Sequence, residues 1–436
     1  MSDIVDKGSR SEYKKIVIFI FFFFLLVVGV TLFFVHKEME LQKEEQRQEE
    51  LREKEEERRI ALFTDIKDSY NEYVKTNKEA KLYSLNDDNY VEAGLVGKNI
   101  ELSLEDMDIT YQTEYFFIDG LDLYIHYEDV EKIDILSPKE EVYKNYVLFN
   151  YDAVTTDKTS FYDENGLVYQ INKGVSLPII IKDKDKYYVE YNDRLLYIKK
   201  SDAKLVESSN TKEKVRDNIR TLTYHTIYNV ETQKCNNTVI CHPIEQFDSH
   251  MKYLSENGYF TLRMKDLELF LDGKIRIPKK SIVITLDDGA YAKNAVNILE
   301  KYKVYATYFI ITSRYDVSKI KSTYMNFESH TDNLHNNWKC TGGNQGGQLL
   351  CEDRDKVLED LKTSQEKLGG ATAFAYPFFD FNDRAIELLK ESGFTMAFIG
   401  QYDSDGYSTA KTNKMLLRRK TIFSYDSIDT FISYLA

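Results

Sequence analysis

Asp287 and Asp288 stand side by side at the end of the run SIVITLDDG (281–289). The six residues before them are mostly apolar or β-branched, the pattern of a buried parallel strand. Two adjacent carboxylates at such a strand's C-terminal end suit a metal site: one binds an ion while its neighbour stays free as a base. The same DDG equally makes a plain turn, because Asp-Gly is a common turn pair. Three other stretches carry residues able to converge on it. FESHTDNLH holds His330 and His335, five positions apart. On a helix that spacing sets the rings about 140° apart, so the pair shares an ion only from a loop. FAYPFFDFN (374–382) holds Tyr376 and Pro377, and LTYHTIY holds His225 in mid-strand. Each has an ordinary reading as surface pair, turn or core histidine. Their joint occurrence at strand ends favours a site.

The elements that must position these residues form an alternating series. The sequence predicts a strand at 220–228, a helix at 242–257 started by Pro243 and closed by Gly258, and a strand near 259–262. A short helix near 265–271, the strand before DDG and a helix at 291–301 come next. Strands at 306–311 and 324–328 lead to a helix at 352–368, a strand at 371–375, a helix at 382–392 and a strand at 395–399. A last strand near 415–423 precedes a C-terminal helix. This βα alternation predicts a parallel sheet or barrel with its chemistry at the strands' C-terminal ends. His242 and His250, on the predicted helix, are expected to be exposed.

Composition narrows the function classes. The 436 residues allow several domains, and a formal net charge of −14 argues against nucleic acid as partner. Neither a P-loop nor a dinucleotide fingerprint is present. The four cysteines fall into close pairs, Cys235/Cys241 and Cys340/Cys351. In an oxidising compartment the local pairs are the natural disulfides; otherwise they are free buried thiols.

Residues 16–35 (IVIFIFFFFLLVVGVTLFFV) are uncharged and long enough to cross a bilayer as a helix. They are expected to be an uncleaved, single-pass anchor behind a cytoplasmic tail, residues 1–15, which carries Lys7, Arg10, Lys14 and Lys15. The remainder is then extracellular, held off the membrane by a charged helical spacer at 36–77. From there the rhythm becomes short strands with polar turns, and an internal repeat is visible. YFFIDGLDLYIHYEDVEKI (115–133) parallels KYYVEYNDRLLYIKKSDAKLV (186–206), and 81–102 parallels 159–179. Two tandem β modules are expected, 78–137 and 138–210, with residues 211–436 as a separate α/β domain. The modules look like bacterial SH3-like wall-binding modules, with the cell wall as partner.

TLDDG, SHTDNLH and AYPFF, in this order and about 40 residues apart, resemble the polysaccharide deacetylases, carbohydrate esterase family 4. The H-T-x-x-L-H form and the Tyr-His strand ahead of it resemble the poly-β-1,6-N-acetylglucosamine N-deacetylase branch, as do PIEQFDSHMKYLSENGYFTL and PKKSIVITLDDG. The resemblance implies a distorted (β/α)7 barrel, one divalent metal, zinc, and an N-acetylglucosamine polymer as substrate. It makes Asp288, His330 and His335 the ligands, Asp287 the general base and His225 the general acid. It places the oxyanion at the Phe378 N–H, in the turn after Tyr376 and Pro377. Trp338, beside the insertion bearing Cys340, GGNQGG and Cys351, either stacks on sugar or is structural. The chain departs from the pattern at three places. Leu286 stands where Phe is usual, Ala375 where an arginine is usual, and Phe379-Asp380 in place of a glycine-containing turn. Arg418, or else Arg419, is a candidate to supply the missing charge. Two rival readings are a peptidoglycan N-acetylglucosamine deacetylase and a catalytically inactive glycan-binding protein.

Overall fold

The computed structural model describes residues 6–70, 72–105, 114–137, 145–209, 215–343, 345–400 and 404–435. The chain divides into two compact units, residues 1–137 and 138–436.

In the first unit a single helix, Asp6–Ser69, runs without a break through the described part of the polar N-terminal stretch, the apolar stretch 16–35 and the charged stretch after it. Its apolar stretch 16–35 is exposed on every side and is long and apolar enough to cross a membrane. At 1.5 Å per residue those residues span about 30 Å, a bilayer's hydrocarbon thickness. The helical spacer ends sooner than expected, because strand Tyr73–Thr76 already lies inside 36–77. That strand pairs antiparallel with Glu101–Ser103 and with Val130–Lys132. Beside this lies the hairpin Ala80–Asn86/Asn89–Val96, turned by Asp87 and Asp88 at φ 45° and 62°. Two adjacent positive φ values give a turn whose twist matches the strands, and short polar side chains tolerate it.

The second unit begins with the same succession. Tyr151–Thr155 is flanked by Ser176–Pro178 and Ala203–Glu207. The repeat seen in the sequence is thus a repeat of elements: a hairpin, a 3-10 turn and a strand succeed one another in 115–132 and again in 186–207. The expected module boundaries near 138 and 210 fall on residues outside those described. Residues 145–209 do not stand apart from the chain beyond residue 215. Tyr146, Ile180 and Ile181 share one buried cluster with Leu262, Leu267, Ile277 and Val283. Val147 bridges Arg276, the Lys182 N–H donates to the Lys274 carbonyl at 2.7 Å, and the Tyr146 hydroxyl donates to Asp266. Separating the two regions would expose that apolar surface.

The α/β part is a mostly parallel sheet. In order across it lie Met396–Phe398, Ala373–Ala375, Met325–Ser329, Ala306–Ile310, Ser281–Leu286 and Asn218–Tyr224. The antiparallel strand Tyr407–Thr409 lies beside Asn218–Tyr224. One late stretch meets both flanks: Leu417 bridges Phe398 in parallel, and Lys420–Thr421 pairs in parallel with Leu222 and Thr223. The strand before DDG is buried throughout. Ile282, Ile284 and Leu286 enter the core beneath helices Ile244–Glu256 and Ala292–Tyr302, and Val283 enters the opposite core. Burial on both faces is why its apolar run is continuous, and each such side chain contributes about 1.5–3 kcal/mol. Two expected strands change most. The strand 220–228 is broken at His225 into Asn218–Tyr224 and Thr226–Tyr228, and the 415–423 strand shrinks to Lys420–Thr421 with its flanking bridges.

Candidate metal centre and active site

The break in the first strand and the DDG turn meet. The Asp287 N–H donates to the Tyr224 carbonyl at 3.0 Å, so Asp287 lies beside His225. Asp288 has φ 78° and Gly289 φ 116°. A Cβ on Gly289 would come within 2.9 Å of the Tyr315 ring, so both the conformation and the crowding demand glycine there. This turn buries Asp287 and leaves Asp288 partly open.

Asp288, His330 and His335 converge, their ligand atoms within 4.8 Å of one another. The Asp288 Oδ1 lies 3.8 Å from His330 Nε2 and 3.5 Å from His335 Nε2. Both separations fit within the ~4.2 Å that two metal bonds of about 2.1 Å can span. His330 Nδ1 is 2.7 Å from the Ala375 carbonyl, which fixes the proton there and frees Nε2 as a ligand. Burial pulls His335 down to about 4, with His330 pushing the same way, so its ring is neutral as a ligand must be. Two imidazoles and one carboxylate at an open edge suit a divalent cation.

Asp287 is 1% exposed and is gripped by Arg419, which is fully buried. Arg419 Nη1 donates to Oδ1 at 2.7 Å and Nη2 to Oδ2 at 2.8 Å. Burial raises the Asp287 carboxyl, but Arg419 and then His330 outweigh it and hold it below the usual range. The arginine expected from Arg418 is therefore Arg419. In an extended stretch neighbours point to opposite faces. Arg418 faces outward, 3.9 Å from Asp405, while Arg419 also reaches Thr223 and lies over the rings of Phe379, Phe309 and Phe398. The LLRRK pair gave no sign of which arginine turned inward.

His225 is partly buried, with Nδ1 enclosed, and its ring centroid lies 6.3 Å from that of Phe379. Burial lowers its pKa, against the pull of Asp287 and Asp288. Phe378 sits against the metal triad, its ring 4.5 Å from that of His335. Phe378 and Phe379 both adopt left-handed backbone, φ 58° and 60°, a conformation that costs non-glycine residues about 1–2 kcal/mol each. Tyr376 does not line the cleft. Its ring is fully buried beside Phe374 and Phe381, and with Pro377 it forms the support of the turn. Trp338 is 54% exposed on the stretch after His335. His242 and His250, expected on the surface, are fully buried behind Tyr224, whose hydroxyl lies 2.9 Å from His250 Nδ1. The cysteines form the disulfides Cys235–Cys241 and Cys340–Cys351.

Residues 274–397 match the family model "Polysaccharide deacetylase". The chain carries a polysaccharide deacetylase domain. A curated relative, the poly-beta-1,6-N-acetyl-D-glucosamine N-deacetylase of Staphylococcus aureus, is 31% identical over 175 residues, 35% of this chain and 59% of that protein. The chain thus spans less than two thirds of that relative's length. Similar solved structures include the Streptococcus pyogenes deacetylase PplD in complex with acetate, at 21% identity and TM-score 0.40, covering 50% of this chain and 98% of that one. Another is IcaB from Ammonifex degensii, at 19% identity and TM-score 0.39, covering 51% and 98%. The deacetylase domain's matched stretch contains Asp287, Asp288, His330, His335 and the Tyr376–Phe378 turn. His225 and Arg419 lie outside it and join the site only through the fold.

Proposed function

We propose that this chain is a metal-dependent N-deacetylase that removes acetyl groups from N-acetylglucosamine residues of an extracellular polysaccharide of the poly-β-1,6 type. The carrying observation is that Asp288, His330 and His335 converge closely enough to hold a cation directly beside an arginine-locked Asp287. The relative's printed substrate supports the polymer assignment, and the exposed apolar helix at 16–35 supports attachment as a single-pass anchor with the catalytic domain outside. The two parallel pairings made by 417–421 support reading the sheet as the distorted (β/α)7 barrel.

Asp288, His330 and His335 would hold the ion, for which we take zinc. When bound there it supplies Lewis acidity to the acetamide carbonyl and to an attacking water. Asp287 takes the proton that water loses as its oxygen bonds to the carbonyl carbon. The Phe378 N–H donates to the oxygen on which charge develops. As the C–N bond breaks, His225 delivers a proton to the departing nitrogen, leaving acetate and a free amine. His225 enters this step in its protonated form, and its lowered pKa makes that form a strong proton donor. The Arg419 pair keeps Asp287 ionised and aimed.

Peptidoglycan N-acetylglucosamine is the second reading. The repeated β arrangement, which we take as SH3-like and wall-binding, favours it. Full-length protein in detergent is assayed for acetate release from β-1,6-linked N-acetylglucosamine oligomers, chitin oligomers and peptidoglycan. Highest turnover on the β-1,6 oligomers, abolished by chelator, is expected. Preference for peptidoglycan selects the second reading, and no release from any of the three leaves the inactive glycan-binding reading.

A further inference from the structure

The strained Phe378–Phe379 turn has a holder that no part of the chemistry above uses. The disulfide Cys340–Cys351 closes a loop rich in glycine. The loop presents its backbone to Asp380, the residue after the turn and 2% exposed. The Gln345 N–H donates to both Asp380 oxygens, at 3.1 and 3.0 Å, and the Gly347 N–H donates to Oδ2 at 2.9 Å. The Gln345 amide donates to the Phe378 carbonyl at 3.3 Å. The fit is close. A Cβ on Gly343 would stand 2.7 Å from the Asp380 carboxyl carbon, and one on Gly347 would stand 3.2 Å from the Phe378 ring. The same ring faces His335. Strained backbone persists only where its surroundings over-determine it, and a carboxylate bound by backbone N–H groups is a strong anchor.

We infer that Asp380 is a positioning residue: held by the disulfide-closed loop, it fixes the left-handed Phe378–Phe379 turn in the conformation that presents the Phe378 N–H to the reacting carbonyl. The inference rests on the deacetylase reading given above. It also accounts for the missing glycine in this turn. Where other chains would relax the backbone with glycine, this one keeps two phenylalanines and clamps them from the loop.

The test uses the full-length chain with Asp380→Ala, Gly347→Ala and the double variant Cys340→Ser/Cys351→Ser. It measures kcat and KM for acetate release, zinc bound per chain, and amide hydrogen exchange of peptides covering 374–382. A displacement of about 1 Å in a catalytic group can cost ~100-fold. Asp380→Ala should therefore lower kcat at least ~30-fold, with KM within threefold and zinc content unchanged. The cysteine double variant should lower kcat by ~10-fold. Gly347→Ala, which adds one methyl against Phe378 and removes no anchor, should lower it ~3- to 10-fold. Exchange in 374–382 should rise at least tenfold in Asp380→Ala. A kcat within twofold of the parent in Asp380→Ala, zinc lost in step with activity, or parental kcat in Gly347→Ala would each overturn the inference. If the parent releases no acetate, the deacetylase reading fails by itself, and the exchange measurement still decides whether Asp380 holds the turn.

Discussion

Strand Asn218–Tyr224 ends between two histidine-bearing regions that differ in almost everything except their histidines. In front, His225 faces the carboxylates Asp287 and Asp288, with His330 and His335 across the opening. Behind, Tyr224 packs against His242, His250 and Phe247. There His242 Nδ1 meets the Gln246 side chain at 3.0 Å, and the His250 ring stacks on Phe431 at 4.0 Å. Burial lowers His225 and His335 in front and, behind, takes His242 to about 4 and His250 to about 3. In front the lowering is opposed by acids and the rings converge on an opening. Behind, no carboxylate pairs with either ring among the described residues, and Gln246 instead donates to the carbonyls of Phe423, Ser424 and Asp426. A histidine's chemistry is thus decided by which face of a strand it joins and which acids meet it there. The front is the face we propose to react, and the back holds the C-terminal segment in place.

Several substitutions would break or sharpen that contrast. The largest effect is expected at the front, from Asp288→Ala or chelation: acetate release should fall at least ~1,000-fold, as loss of Lewis acidity requires. Circular dichroism should remain that of the parent. Retained activity would remove the triad from the chemistry. His225→Ala should lower kcat by ~100-fold or more, the usual share of a proton donor, with thermal stability nearly unchanged. An unaltered rate would make the front histidine as structural as those behind. Arg419→Met leaves Asp287 buried without its partner, and loss of one member of such a pair costs about 3–5 kcal/mol. Chemical denaturation should register that loss together with a fall in kcat.

The back region should respond to pH through stability instead of rate. His242 and His250 are neutral when folded and titrate near 6.5 when unfolded. The unfolded chain therefore gains protons first as pH falls. Stability is full above about 6.5 and declines as pH drops toward about 4. For His242 the full difference is worth about 3 kcal/mol. The groups facing this pair are Tyr224, Gln246, His225 and, near Tyr224, Asp426, whose own carboxyl burial pushes upward. His242→Asn should therefore lose less Tm than the parent between pH 7 and pH 4.5. Equal losses would mean that His242 does not contribute to acid sensitivity. The smallest effect is expected from Arg418→Ala, which should change kcat less than twofold, because that side chain faces solvent near Asp405.

Much of this architecture was legible along the chain, for local reasons. The βα order, the apolar helix and the β repeat arise from periodicity and turn residues, which act over a few positions. Boundaries moved where distant partners intervened. Tyr73–Thr76 was drawn out of a charged helical pattern by pairing with Glu101–Ser103 and Val130–Lys132. His242–Pro243 left the predicted helix to pair with Ile227 and Tyr228. The β region at 145–209 lost its expected independence because Tyr146, Ile180 and Ile181 find their apolar partners beyond residue 260.

The convergence of the DDG turn with the two histidines was legible from residue type and spacing, since few side chains can serve as cation ligands. Three matters were left to the tertiary structure. One is the choice of Arg419 over its neighbour, across 132 positions from Asp287. The second is the burial of His242 and His250. The third is the grip of the Cys340–Cys351 loop on Asp380. Each depends on which face of a strand or loop meets which other one, and a sequence records neighbours along the chain, not neighbours across a fold.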